Sequence, residues 1–144
     1  MKFPKTIRFD KSDLNVFEVP SEEGEWAISG AFEFSNDSSN SLTGKRKQSF
    51  SNGFLGLTSF GRSTLVSVSK LNLLTKDKLS DNLAKFFIQR YGAPDFNRAK
   101  VAANDEINFI IDICKDHELG TLLAVNRSFE ENGIHEKFRS LPKQ

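Results

Sequence analysis

The sequence predicts an α+β fold: a single domain with a four- to five-stranded, mainly antiparallel sheet and two long helices packed on one face. Three observations predict it. The first third of the chain alternates apolar and polar residues with the two-residue period of strands. The stretch from Thr75 to Gly120 changes to helical period, and the two regimes do not alternate strictly as they would in a parallel sheet with crossover helices. A length of 144 residues fills one core and is short for two, and no linker divides it.

Taken in order, "KTIRFD" sets Ile7 and Phe9 against Thr6 and Arg8, and "NVFEV", after the polar "KSD", reads as the returning strand of a hairpin. A turn at "PSEEGE" leads to "EWAISGAFEF", the clearest strand pattern in the chain, with Trp26, Ile28, Phe32 and Phe34 on one face. Gly30 interrupts that face at its middle, where a glycine marks a bulge or the close approach of another group. The polar "SNDSSNSLTG" is a loop, and "LTGKRKQSFSNGF" predicts a short helix capped by Ser41 or Thr43. "STLVSVSKL" returns to strand period.

In "TKDKLSDNLAKFFIQRYG", Leu79, Leu83, Phe86, Phe87 and Tyr91 fall at helical spacing, with Thr75 as N-cap and Gly92 as the stop. Pro94 and Asp95 open a second helix, whose apolar stripe runs from Phe96 through Ala103 and Ile107 to Cys114 and ends by Gly120. The short turn between them makes the two helices antiparallel neighbours. "TLLAVNRSFE" is apolar enough for an interior strand, and "GIHEKFRSLP" reads as a closing helical turn or short helix.

Composition excludes several functional classes. Twenty Lys and Arg against 19 Asp and Glu leave a net charge of +1, so no global field draws the chain to nucleic acid or anionic lipid. The single cysteine, Cys114, closes no intrachain disulfide, and with only His117 and His135 it supplies no Cys-rich zinc site. "MKFPKTIRFDK" lacks the apolar run of a signal peptide, and no stretch approaches the ~20 apolar residues of a membrane span, so a cytoplasmic setting is expected. Fourteen Phe against one Tyr and one Trp predict a ring-rich core rather than a platform for stacking bases.

One stretch invites a nucleotide-binding reading. "GLTSFGRST", Gly56 to Thr64, lies one residue from the phosphate-binding pattern G-x-x-x-x-G-K-[ST]. That loop works because a helix N-terminus follows it, and here a strand follows; Arg62 also stands where a lysine is needed. The glycines instead let a turn pass close beneath Leu57 and Phe60. "CKDH" at Cys114 to His117, and the set Arg127, Glu130, His135, Glu136 and Arg139, superficially offer metal ligands or an acid and base. A core cysteine and a solvated surface explain them better, and no G-x-S-x-G occurs. No catalytic residue, metal or cofactor is expected.

The remaining signal is "GKRK". It sets Lys45, Arg46 and Lys47 in the first turn of the short helix, where the helix dipole disfavours cations. Either the stretch is a solvated loop, or an anion or acidic partner offsets that charge, with Arg62 joining the site if the intervening loop folds back.

Over "EWAISGAFEF", "LTGKRKQSFSNGFLGLTSFGRSTLV" and "GTLLAVNRSFEENGIHEKFRSL" the chain resembles a family of small uncharacterised bacterial proteins, a domain of unknown function with a Trp-bearing strand, a Leu-Thr-Gly loop and a Gly-Phe-Leu-Gly-Leu segment. The resemblance spans nearly the whole chain and implies an intact single domain without supplying an activity. Two functions fit the sequence. One is a non-catalytic accessory or interaction domain that self-associates or binds a protein partner; the other is an enzyme or binder for a small phosphorylated or carboxylated anion.

Overall fold

A computed structural model describes residues 1–8 and 11–141. In chain order the elements are β1 (Lys2–Ile7), α1 (Ser12–Val16), β2 (Ala27–Ile28), a 3₁₀ turn (Ala31–Phe34), α2 (Gly44–Asn52), β3 (Phe54–Gly56), β4 (Arg62–Ser63), β5 (Leu65–Lys70), α3 (Leu73–Tyr91), α4 (Phe96–Cys114), β6 (Leu122–Glu130) and β7 (Gly133–Leu141). The main sheet has the order β1-β5-β6-β7 and a smaller one the order β2-β3-β4, every neighbouring pair antiparallel. The fold is α+β, as the change of period implies.

The period of each strand decides what it buries. Val66 and Val68 of β5 and Leu123 and Val125 of β6 enter a core that also takes Ile28, Phe54 and Leu55 from the small sheet, and Leu83, Ala103, Ile107 and Ile110 from the long helices. Each fully buried aliphatic or aromatic side chain there contributes about 1.5–3 kcal/mol. A second cluster gathers Phe34, Leu42 and Phe50 against Phe129 and Ile134, with the Phe50 and Phe129 rings stacked 4.3 Å apart. Most of the described phenylalanines pack into the core, as their number predicts, whereas Phe96 and Phe109 are exposed.

The helix ends follow local chemistry. Gly92 stops α3 in the left-handed conformation (φ +66°), and Asp95 caps α4 by accepting from the Arg98 amide at 2.8 Å. Asn72, rather than Thr75, caps α3: its side-chain oxygen accepts from the Thr75 amide at 2.7 Å. Thr43 is the N-cap residue of α2, though its side chain makes no capping bond, and α4 ends at Cys114 rather than near Gly120.

Three expected elements are different. "NVFEV" does not return as a strand; Ser12–Val16 is a helical turn pinned by Asp13, whose carboxylate accepts from the Thr64 hydroxyl at 2.6 Å and the Thr64 amide at 3.2 Å. Phe9 and Asp10, at the end of the first expected strand, lie outside the described residues. "EWAISGAFEF" is a strand only at Ala27–Ile28. At Gly30 (φ +74°) the chain turns into the 3₁₀ segment, and a Cβ there would stand 2.8 Å from Arg62 Nη1, so the glycine marks a close approach. "GIHEKFRSL" is not helical but is β7, paired along its length with β6 from Glu130↔Gly133 to Leu122↔Leu141. Among the described residues, nothing pairs with the second edge of β7.

Candidate functional site

Two arginines that sequence reasoning treated as surface charges are internal. Arg62 on β4 and Arg127 on β6 have side chains 6% and 0% exposed. Arg62 donates through Nη1 to the Gly53 carbonyl (3.1 Å) and the Ser29 carbonyl (3.3 Å), and through Nη2 to the Gly30 carbonyl (3.0 Å) and Glu33 Oε1 (2.9 Å). Arg127 donates through Nη1 to the Phe50 and Gly53 carbonyls, both at 2.8 Å, through Nη2 to the Ser29 carbonyl, and through Nε to Glu136 Oε2 at 2.8 Å. The carbonyls at the end of α2 lack intrahelical donors, and Arg127 supplies them.

The two guanidiniums therefore share the Ser29 and Gly53 carbonyls as acceptors. Burial, and then the proximity of Arg127, push Arg62 down to about 10; burial also lowers Arg127. Glu33 and Glu136 balance the two charges. Glu33 also accepts from the Tyr91 hydroxyl at 2.7 Å, and burial together with that bond pushes the phenol well above its ordinary range. Ser29 Oγ donates to Glu136. Partly buried Glu106 on α4 is pushed up to about 7, by burial first and then by Glu136 and Asp105, with Arg127 opposing.

The glycine loop does hold an anion, but the anion is the protein's own. Buried Glu25 accepts from the Thr58 amide at 2.9 Å and the Ser59 amide at 2.8 Å on one oxygen, and from the Ser59 hydroxyl and the Glu22 amide, both at 2.5 Å, on the other. Gly56 must lack a Cβ because the Glu25 carboxylate occupies that space, and Gly61 because the Pro20 carbonyl does. Between them, Phe60 is the one non-glycine among the described residues with positive φ (+56°), a conformation that costs about 1–2 kcal/mol for an aromatic residue. Its ring stacks on Phe86 at 3.9 Å.

The four expected site cations separate into two tiers. Lys45 and Lys47 are exposed on the first turn of α2. Arg46, 47% exposed, pairs with Asp37 at 2.6 Å and lies 5.1 Å from the Phe34 ring, while Arg62 lies 4.9 Å from the same ring. Arg46 and Arg62 do come together: with Glu18, Glu33, Phe34 and Arg90 they line a cleft of about 110 Å³. Sequence reasoning missed Arg90. The signal was its position four residues after Phe86, whose ring it covers at 5.8 Å.

The other candidate sets come apart. Cys114 is buried and its thiol is pushed up to about 11, chiefly by burial, which disfavours the nucleophilic thiolate. Among the described residues no group of three metal-ligating side chains converges. Arg127 and Glu136 face the core across β6 and β7, whereas His135 and Arg139 alternate to the opposite face. No described helix is long and apolar enough to cross a membrane.

No curated protein and no solved structure matches the chain. A family model matches residues 1–144. By that full-length match, the chain belongs to the family of unknown function DUF6505.

Proposed function

We propose that the protein is a non-catalytic interaction domain that receives an acidic side chain of a protein partner in the cleft of Arg46, Arg62 and Arg90. The observation that carries this reading is the cleft's size and lining together. At about 110 Å³ it falls well below the roughly 300 Å³ at which pockets begin to hold whole small ligands, yet it accommodates one carboxylate or phosphate group. Glu33 and Asp37 match Arg62 and Arg46, which leaves Arg90 at the rim, and Lys45 and Lys47 nearby on α2, without an ion pair among the described residues. An anionic group presented on a partner's surface meets Arg90 beside Glu18 at the cleft, with Lys45 and Lys47 on the adjoining turn of α2.

The test uses single-group probes. O-phosphoserine and N-acetylglutamate are titrated against the protein while the guanidinium signals of Arg46 and Arg90 are followed by NMR. Saturable shifts that weaken with salt, together with shifts of the Phe34 and Arg62 backbone amides that are lost in the Arg46→Gln/Arg90→Gln variant, support the reading. Equal binding by parent and variant at every ionic strength would refute it. The Lys45→Gln/Arg46→Gln/Lys47→Gln variant should keep its stability to within about 1 kcal/mol, because exposed charges contribute little.

A second reading, a binder of a free anionic small molecule, has one observation in its favour. On the other side of Phe60 a cleft of about 320 Å³ is lined by Thr58, Asn82, Lys85, Phe86 and Gln89, which combines a ring wall, two amides and a cation. A thermal-shift screen of phosphorylated and carboxylated metabolites separates the two readings, since a ligand that prefers the native state raises the midpoint and Lys85→Gln should abolish that rise.

A further inference from the structure

We infer that β7 is a docking edge: an extended, acidic segment of a partner protein adds to the main sheet beside it. This deepens the interaction reading and rests on it, but uses a surface separate from the arginine cleft. Beyond β7 the main sheet has no further strand among the described residues, so alternate residues from Gly133 to Leu141 present N–H and C=O groups to whatever comes alongside. Side chains on this strand divide by parity. Ile134, Glu136 and Phe138 face the core, while His135, Lys137 and Arg139 are exposed on the other face, opposite Ser128, Asn126 and Ala124 of β6. The β6 partners carry no charge, so Lys137 and Arg139 have no acidic neighbour across the strand pair. Glu130, bonded to Ser128, lies at the turn end beside His135, which confines the cationic stretch to Lys137 and Arg139.

Charge selects the occupant. A second copy of this chain pairing antiparallel through β7 would set Lys137 against Lys137, Lys137 against Arg139, or Lys137 against His135, depending on register. In the first two registers like charges stand directly opposite and destabilise the pair, and in none does an acidic side chain meet Lys137 or Arg139, because that face of β7 carries none. An added segment with Asp or Glu at alternate positions meets Lys137 and Arg139 favourably instead. At the turn end the requirement changes. A residue opposite Ile134 shares its face and points toward an apolar pocket of about 370 Å³ lined by Ala31, Phe32, Phe129 and Ile134, with Ser35 and Asp37 at its polar side. The complementary segment is therefore acidic along one end and carries one large apolar residue at the other.

The probes are synthetic peptides of the length of β7 that alternate Glu with Val and carry Phe near one end, in both directions of sequence, with an analogue N-methylated at alternate amides. The expected result is that one direction binds, slows amide exchange along β7, and binds the Lys137→Glu/Arg139→Glu variant about tenfold more weakly, as two cross-strand charge pairs imply. A peptide with Lys in place of Glu should show the opposite preference, and the N-methylated analogue should not bind. The inference is overturned if neither direction binds the parent, if the N-methylated analogue binds equally, or if the charge-reversed variant behaves as the parent does. If peptides shift only the Arg46 and Arg90 signals, the β7 edge fails while the cleft stands. If peptides protect β7 while single-group probes leave Arg46 and Arg90 unmoved, the cleft fails and β7 stands.

Discussion

Replacing Glu106 by Gln should make the protein more stable, but only where the carboxylate is ionised. Glu106 has an ordinary value of 4.5 and is pushed up to about 7 in the folded protein, by burial first and then by Glu136 and Asp105. A raised carboxyl favours the native state in its protonated form. Its favourable contribution is complete below 4.5, declines as pH rises, and is gone once pH passes about 7. At about 1.4 kcal/mol per pH unit that interval corresponds to about 3 kcal/mol as an upper bound, and because the side chain is only partly buried about 1–3 kcal/mol is expected. Glu106→Gln should therefore exceed the parent in stability by about 1–3 kcal/mol at pH 8, and the difference should close to about zero near pH 4.5. Urea unfolding of both proteins across this range measures it, since subtracting one curve from the other cancels every group the two share. A difference independent of pH, or one that grows toward acid, would refute the argument that Glu106 is held against Glu136 and out of water.

Other perturbations test the internal ionic groups. Arg127→Met leaves Glu136 and the Phe50, Gly53 and Ser29 carbonyls short of a donor and should cost about 3–5 kcal/mol in chemical denaturation. Gly30→Ala forces a Cβ toward Arg62 at positive φ and should cost about 2–3 kcal/mol, with loss of the Tyr91 to Glu33 contact visible as a drop of the phenol pKa toward 10 by ultraviolet titration. Glu25→Ala empties the carboxylate position under the Thr58 and Ser59 amides and should lower the thermal midpoint by several degrees. Sodium formate should recover part of that loss where sodium chloride does not, and equal effects of the two salts would mean that the loop does not bind a carboxylate as such.

The parts of the fold set by nearest neighbours were legible in the sequence. Leu79, Leu83 and Phe87 carry the helical period of α3, Gly92 and Asp95 punctuate the turn, and Val66 with Val68 carries the strand period of β5; each is a property of a few adjacent residues. Elements decided by a distant partner were not. "EWAISGAFEF" alternates like a strand, yet the chain leaves the sheet at Gly30 because a guanidinium thirty-two positions later bonds the Gly30 carbonyl. "NVFEV" alternates too, but Asp13 is held by Thr64. β7 differs: Ile134, Glu136 and Phe138 do alternate with His135, Lys137 and Arg139, and its charged residues disguised a two-residue period that was present.

For the site, the grouping of Lys45, Arg46 and Lys47 on one helix turn was readable from spacing alone. That Arg62 would approach Arg46 from beneath, with Glu33 attached, depended on a loop folding back, which no local pattern encodes. The near-match to a phosphate loop was informative in another way, because its glycines do make room for an anion and only the identity of that anion, Glu25, was hidden by distance along the chain.

The shared acceptors of Arg62 and Arg127 bear on how the molecule comes apart. One guanidinium is carried by the small sheet and the other by the main sheet, and both hold the same two carbonyls, Ser29 and Gly53. Peeling the small sheet away would carry the Ser29 and Gly53 carbonyls off with Arg62 and leave Arg127, on the main sheet, a guanidinium short of acceptors. Partial opening along that seam is therefore costlier than its few strand residues suggest, and both sheets should lose their structure in one transition, with fluorescence from Trp26 beside the small sheet and amide exchange in β6 reporting the same midpoint.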